Sequence, residues 1–448
     1  MSGFFTAILA VGVVLGFMIL IHEFGHYAAA KLLGVRVEQF AIGFGKRLVG
    51  FRKGETDYRI NLLPLGGYVK MSGENPMDQR TDDPAEFMNH PRWHRFLIAI
   101  AGPTMNIMLA VGLLATVYMV HFEYPVYLDQ PAVIAWVKPD SPASKIGLQA
   151  GDRIARIDGI DNPTWEQVDP RVMLSPNQQV SITVQRGSQM LDKTIVPEPV
   201  TASQVGSAGW TPERAVIVGE LEAGKPAERA GLKEGDEIIA LDGVPLPALD
   251  AMIDSLQKTK DQPVNLTVLR NGQKLDFKLK PELADTEDQG KPRYRIGFLG
   301  GARMKTGRLS FSAAISRSLE ENKKTSLLIL ELVQKLVRRQ ISPRTIEGPI
   351  GISRAAGEAA SQKGWTPLLA LTSAISLNLG IFNLLPIPIL DGGVILLLFV
   401  EGLMRRDISM AVKERIYQAA FVFLVLFAAM VIYNDLVKAL PGVMQRLP

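Results

Sequence analysis

Apolar residues in this chain are concentrated towards its two ends. Residues 4–21 carry Thr6 as their single polar side chain, residues 96–120 and 416–432 carry no charge, and residues 367–400 carry one, Asp391. Each run is long enough to cross a hydrocarbon core about 30 Å thick. The pattern therefore predicts four transmembrane helices. The first run is followed by Ala28-Ala29-Ala30, which resembles a signal-peptide cleavage site, but no Lys or Arg precedes it. The positive region that opens a signal peptide is missing, so the run reads as a retained span.

Charge next orients the spans. Lys31, Arg36, Lys46, Arg47, Arg52 and Lys53 follow the first, and Arg405, Arg406, Lys413 and Arg415 fill the short loop between the third and fourth. Positive loops stay in the cytoplasm. Both termini and the long central region are then expected outside, which in a bacterium is the periplasmic face of the inner, cytoplasmic membrane.

The central region alternates like a soluble protein, and it is duplicated. Ser141-Pro142-Ala143, Gly147-Leu148, Gly151-Asp152-Arg153-Ile154 and Asp158-Gly159 recur as Lys225-Pro226-Ala227, Gly231-Leu232, Gly235-Asp236-Glu237-Ile238 and Asp242-Gly243. The shift of 84 residues persists to Arg186 and Arg270. Pro suits the first position of a short helix, Gly147 and Gly231 suit its left-handed end, and Asp-Gly suits a tight hairpin. Each copy is thus a small β-rich module that resembles a PDZ domain of the bacterial protease type. Its groove is a candidate for peptide or ectodomain contact; an empty groove acting as a spacer or size filter is the alternative. Residues 308–339 follow, polar at first and then apolar at helical spacing. They predict an amphipathic helix that lies on the membrane or packs on the spans.

The candidate chemistry sits at the end of the first apolar run. His22-Glu23-Phe24-Gly25-His26 is an HExxH, and residues four apart on a helix share a face. Two histidines can therefore hold one zinc ion, with Glu23 placed to act as a base. Ionisable groups beside a membrane span are costly and tend to be functional; the alternative is a hydrated helix end. A catalytic zinc takes three protein ligands. His90, His94 and His121 qualify by type, but the first two have the look of interface residues and the last lies beyond the outer end of the second span. Asp391 is the better third ligand. It follows Pro386 and Pro388, which break a helix, and precedes Gly392-Gly393. Capping the second half-helix is its alternative role.

These motifs resemble the site-2 protease family, a family of zinc-dependent intramembrane metalloproteases. HEFGH, Leu390-Asp391-Gly392 and the paired modules carry the likeness over nearly the whole chain. Gly43-Phe44-Gly45, residues 64–71, Gly102-Pro103 with Asn106, and Gly348-Pro349-Ile350-Gly351-Ile352 belong to it. The resemblance implies Zn2+ on His22, His26 and Asp391, Glu23 as catalytic acid and base, and Asn378 and Asn383 near the substrate. It implies cleavage of single-span membrane proteins, such as anti-sigma factors and signal-peptide remnants, within the lipid bilayer. It also favours a membrane-associated hairpin around residues 58–71 whose edge pairs with an unwound substrate, over a packed cytoplasmic loop.

The expected fold is therefore mixed: a polytopic α-helical membrane protein with four transmembrane helices and a periplasmic tandem of PDZ domains. Its expected segments are 1–30, helix one with the HExxH; 31–95, the cytoplasmic loop and hairpin; 96–120, helix two; 121–204 and 213–285, the PDZ domains; 305–365, amphipathic helices; 366–402, helix three; and 416–436, helix four. Net charge is +4 with no dense basic tract, so nucleic-acid binding is not indicated. The chain has no cysteine, which excludes disulfides and thiolate metal sites. A silent peptide-binding scaffold is opposed by the intact HExxH. A metal transporter is opposed by the apolar second and fourth runs, which offer no polar path.

Overall fold

The computed structural model describes residues 2–74, 81, 83–200, 204–284, 292–362 and 364–439. The predicted boundary at 285 and the chain beyond 439 lie outside them. Among the described residues there are seven long helices: α1 (Ser2–Leu32), α2 (Arg92–Val120), α3 (Phe311–Val337), α4 (Pro349–Ser361), α5 (Thr366–Asn383), α6 (Asp391–Met404) and α7 (Met410–Ala439). Two long strands, β1 (Val37–Lys53) and β2 (Thr56–Met71), join α1 to the segment before α2. The chain forms two compact units. One comprises residues 1–122, 308–330 and 347–436; the other is built on residues 123–307 and 331–346.

In the first unit, Arg92–Val120, Thr366–Asn383 and Met410–Lys438 are long and apolar enough to cross a membrane. The predicted third run is not one helix. α5 ends at Asn383 and α6 starts at Asp391, with Pro386 and Pro388 between them. The helices pack through small and hydroxylated residues, as membrane helices do. A side chain on Gly25 would strike the Ala101 carbonyl, and one on Gly380 would crowd that of Pro103. Ser373 and Ser376 of α5 donate to the Ala110 and Asn106 carbonyls of α2 at 2.8 and 2.9 Å. The first part of α3 packs on the spans: Ser318 donates to the Val111 carbonyl, and Ile329 joins Ala110, Leu377 and Ile381 in one apolar cluster. Elsewhere in this unit, Asp435 of α7 accepts from the N–H groups of Gly348, Ile350 and Gly351, which open α4.

The β1–β2 ribbon folds back on itself. Residues 37–42 pair with 57–60 on one side and with 67–71 on the other, and 49–53 pair with 57–60. The result is a four-stranded mixed arrangement in the order 67–71, 37–42, 57–60, 49–53, in which 37–42 and 57–60 run parallel, the other neighbours run antiparallel, and 67–71 lies at an edge. Gly43 and Gly45 take positive φ of 83° and 87° where the ribbon turns, a conformation glycine adopts without a steric cost.

The second unit contains two modules that repeat one design. In the first, strands 153–157, 180–186 and 189–195 surround a core of Ile154, Ile157, Trp165, Val168 and Val184. In the second, 237–241, 264–270 and 273–279 surround Ile238, Leu241, Met252, Leu256 and Val268. Asp158-Gly159 and Asp242-Gly243 have positive φ at both positions, which is the turn that a two-residue hairpin needs. Both cores run past the boundaries expected from the sequence. Ala208 and Trp210 belong to the first, Ile296 and Phe298 to the second, and strand 298–301 pairs with 216–221. These closing strands come from segments too short for their periodicity to be read.

Candidate metal centre

α1 carries His22, Glu23 and His26 on its C-terminal turns, and the break between α5 and α6 delivers Asp391. The break is held by geometry that few residues tolerate. A Cβ on Gly392 would lie 2.3 Å from the Leu384 and Leu385 carbonyl oxygens, and one on Gly393 2.3 Å from that of Ile387. Ile389 has φ of 90°, costly for a β-branched residue. Asp391 is the first residue of α6, and Leu390 is its cap residue. The carboxylate does not cap the helix; it faces α1.

Three ligand atoms converge there. His22 Nε2 lies 3.2 Å from Asp391 Oδ2, His26 Nε2 3.4 Å from Asp391 Oδ1, and the two Nε2 atoms are 3.2 Å apart. Zinc holds nitrogen and oxygen ligands at about 2.0–2.2 Å, so tetrahedral neighbours stand about 3.3–3.5 Å from one another. The three separations fit one small tetrahedral ion. His26 Nδ1 donates to the Ile98 carbonyl at 2.8 Å, which leaves Nε2 with a free lone pair. Gly102 of α2 makes the space: a Cβ there would lie 2.4 Å from His26 Nε2. His22, His26 and Asp391 are the one cluster of metal-ligating groups found among the described residues.

Glu23 is held beside them. Its Oε2 accepts from the Val69 N–H at 3.0 Å, so the edge segment 67–71 runs alongside the metal-binding face of α1. Met71 N–H likewise points away from the sheet, to Glu74. A cavity of about 540 Å³ opens on the cluster, lined by His22, Glu23, His26, Tyr68, Val69, Asn383 and Asp391 among others. Asn383 Nδ2 stands 3.5 Å from His22 Nε2. Asn378 is not among the residues lining the cavity. His90 and His94 face each other with Nδ1 atoms 2.9 Å apart, and His121 ends α2; none joins the cluster.

A contact between two lining residues escaped the sequence reading. Lys413 and Glu401 form a buried ion pair at 2.6 Å, and both border the cavity. Glu401 stands one residue past the apolar run 367–400, and Lys413 was counted among the orienting loop charges. A carboxylate abutting an apolar run was the available signal.

A profile described as Peptidase family M50 matches residues 10–427. A Vibrio cholerae protein named "Putative zinc metalloprotease" is 32% identical over 95% of this chain and 97% of its own length. The regulator of sigma-E protease RseP of Salmonella typhimurium is 32% identical over 94% of this chain and 96% of its own. Protease RseP of Yersinia pestis is 30% identical over 94% and 96%.

Proposed function

The chain belongs to peptidase family M50, zinc-dependent membrane metalloproteases, and from that premise we propose that it cuts single-span membrane proteins within the bilayer, using His22, His26 and Asp391 as zinc ligands and Glu23 as acid and base. The observation that carries this reading is the set of three ligand atoms 3.2–3.4 Å apart, beside a carboxylate, at the mouth of one cavity.

Zinc bound by these residues supplies Lewis acidity towards a carbonyl and makes a water more acidic. Glu23, one residue after His22, takes the proton of the attacking water on its carboxylate and passes it to the leaving amide nitrogen. An intact substrate helix offers no backbone for attack, so the substrate has to be extended at the bond that breaks. The outward N–H groups of 67–71 provide an edge on which such a segment adds as a strand. Val69 N–H, now bonded to Glu23, is one of them. Asn383 borders the same space and is suited to hold a substrate carbonyl; Asn378, five residues earlier on α5, does not border it.

The assignment extends to the whole chain. α1, α2, the broken pair α5–α6 and α7 are read as four membrane spans, with the cytoplasmic loops carrying the excess Lys and Arg. The repeated modules are read as tandem PDZ domains on the periplasmic side of a bacterial inner membrane. They lie in the chain between spans two and three and carry none of the zinc ligands, which suits contact with a substrate's outer domain. Substrates of the anti-sigma-factor type and signal-peptide remnants suit this layout.

The test is Glu23→Gln, with zinc content and cleavage of a membrane-embedded single-span substrate measured on the same preparation. Full zinc with cleavage lost is expected. Normal turnover by a zinc-loaded variant would remove Glu23 from the chemistry.

A further inference from the structure

The motif Gly102-Pro103 with Asn106 lies on α2, outside the HExxH and the Asp391 segment, yet it meets both histidines. Gly102 leaves room for their rings. Asn106, one helical turn on, is fully buried and places its side-chain nitrogen 3.2 Å from His22 Nδ1. Its side-chain oxygen is buried without a hydrogen-bond partner. Its backbone is pinned, because Ser376 Oγ donates to the Asn106 carbonyl. The side chain is thus free to exchange its two ends but not to leave.

A neutral imidazole carries one proton. As placed, the Asn106 NH2 donates to a bare His22 Nδ1, and the ring proton sits on Nε2, facing Asp391 Oδ2 at 3.2 Å. That tautomer cannot bind a metal through Nε2. For Nε2 to offer its lone pair, the proton has to move to Nδ1, and Nδ1–H then needs an acceptor. A half turn of the Asn106 amide brings its unpartnered oxygen to that position. Histidine ligands are regularly held by an acceptor on their second ring nitrogen, which fixes the tautomer and raises basicity. His26 has one already in the Ile98 carbonyl.

We infer that Asn106 is the positioning residue for His22: its side-chain oxygen accepts from Nδ1–H in the zinc-loaded enzyme and selects the tautomer that binds. The inference rests on His22 being a zinc ligand. The amide, unlike a carboxylate, serves both tautomers, donating in one and accepting in the other.

The experiment compares full-length wild type, Asn106→Leu, Asn106→Asp and His22→Ala in detergent. Zinc affinity is measured by competition with a chelating dye, and the melting temperature of each metal-stripped protein is measured alongside. Asn106→Leu, close in shape but without an acceptor, is expected to bind zinc about 10–100-fold more weakly. Asn106→Asp keeps the acceptor and is expected to bind at least as tightly as wild type. A packing role alone would lower the metal-free melting temperature in Asn106→Leu and leave affinity unchanged, which overturns the inference. Equal loss in Asn106→Leu and Asn106→Asp overturns it too, since the NH2 would then be the group that matters. Should Asn106→Leu fail to fold, Asn106→Ala takes its place under the same criteria. Full zinc affinity in His22→Ala would instead remove the ligand assignment on which the inference stands.

Discussion

Carboxylates are drawn out of solvent in both units of this protein, fully in one and partly in the other, and they are satisfied in opposite ways. Asp152 and Asp236, the Asp of each repeated Gly-Asp, are 1% exposed and each meets an arginine in a two-point pair. Arg186 Nε and Nη2 reach Asp152 at 2.7 Å each, and Arg270 reaches Asp236 at 2.6 and 2.7 Å. The same guanidinium groups donate to the Gly147 and Gly231 carbonyls. Each module closes its own charge balance. Asp391 has no such partner: it faces two imidazoles, His22 and His26. A half-buried carboxylate of this kind gains from a cation that offsets its desolvation, and two ring nitrogens with a carboxylate are a donor set zinc takes. On the function proposed above, the difference separates a carboxylate that builds a fold from one that would hold a metal, although both stand in short Asp-containing motifs.

Neutralising Asp391 breaks the comparison hardest. Asp391→Asn is expected to lower zinc affinity by more than the about 10–100-fold lost with an outer partner, and to abolish cleavage. Without metal, Asp391 meets only the two imidazoles, so the metal-free melting temperature should change little. Metal content and melting of the stripped protein are the readouts. Full zinc occupancy with normal turnover would reduce Asp391 to a structural residue like Asp236.

The converse substitution sharpens it. Arg270→Met leaves Asp236 buried without its cation. Leaving a carboxylate that is 1% exposed without its cation destabilises the module, by less than the loss of a fully buried pair because the guanidinium itself reaches solvent. The loss should appear as faster hydrogen exchange in strands 237–241 and 264–270, with zinc content unchanged. A fall in zinc affinity to match would mean that the pair acts beyond its module.

Much of this was readable in the sequence where residues had to satisfy local geometry. Asp158-Gly159, Asp242-Gly243, Gly147 and Gly231 announce their turns because positive φ narrows the choice of residue. HExxH announces a shared helical face because residues four apart on a helix lie one above the other. The break in the third run was legible from Pro386, Pro388 and Gly392-Gly393. Groups that depend on distant chain were not. Lys413 reads as a loop cation until Glu401 is seen against it. Asn106 stands in the sequence as part of the Gly102-Pro103 motif, but its role is not legible until α1 brings His22 to it. The closing strands at 210–212 and 298–301 are too short to show a period, and their partners lie tens of residues upstream.

The smallest expected effect divides the two modules from each other. Asp169 is on the helix Trp165–Met173 of the first, and at the repeat shift of 84 its counterpart in the second is Ile253. Burial pushes the Asp169 carboxyl up to about 6, only partly opposed by Arg214. The unfolded chain titrates it near about 3.9. With the folded value the higher one, the native state holds the proton more tightly, so this group costs nothing below about pH 4 and destabilises progressively as pH rises through 6. Incomplete burial limits the cost to about 1 kcal/mol. Asp152 and Asp236 act with the opposite sign and cancel between modules. Burial alone would raise them, but the paired arginines prevail and hold both below the ordinary carboxylate range. Their stabilisation is present above about pH 4 and is lost on acidification through the lower folded value. Between pH 4.5 and 7 the first module should therefore weaken relative to the second, read as the opening free energy of strand 180–186 against strand 264–270 by hydrogen exchange. Asp169→Asn should flatten that difference and leave the second module untouched. If the pH dependence survives the substitution, another group sets it and the contrast between Asp169 and Ile253 is not its source.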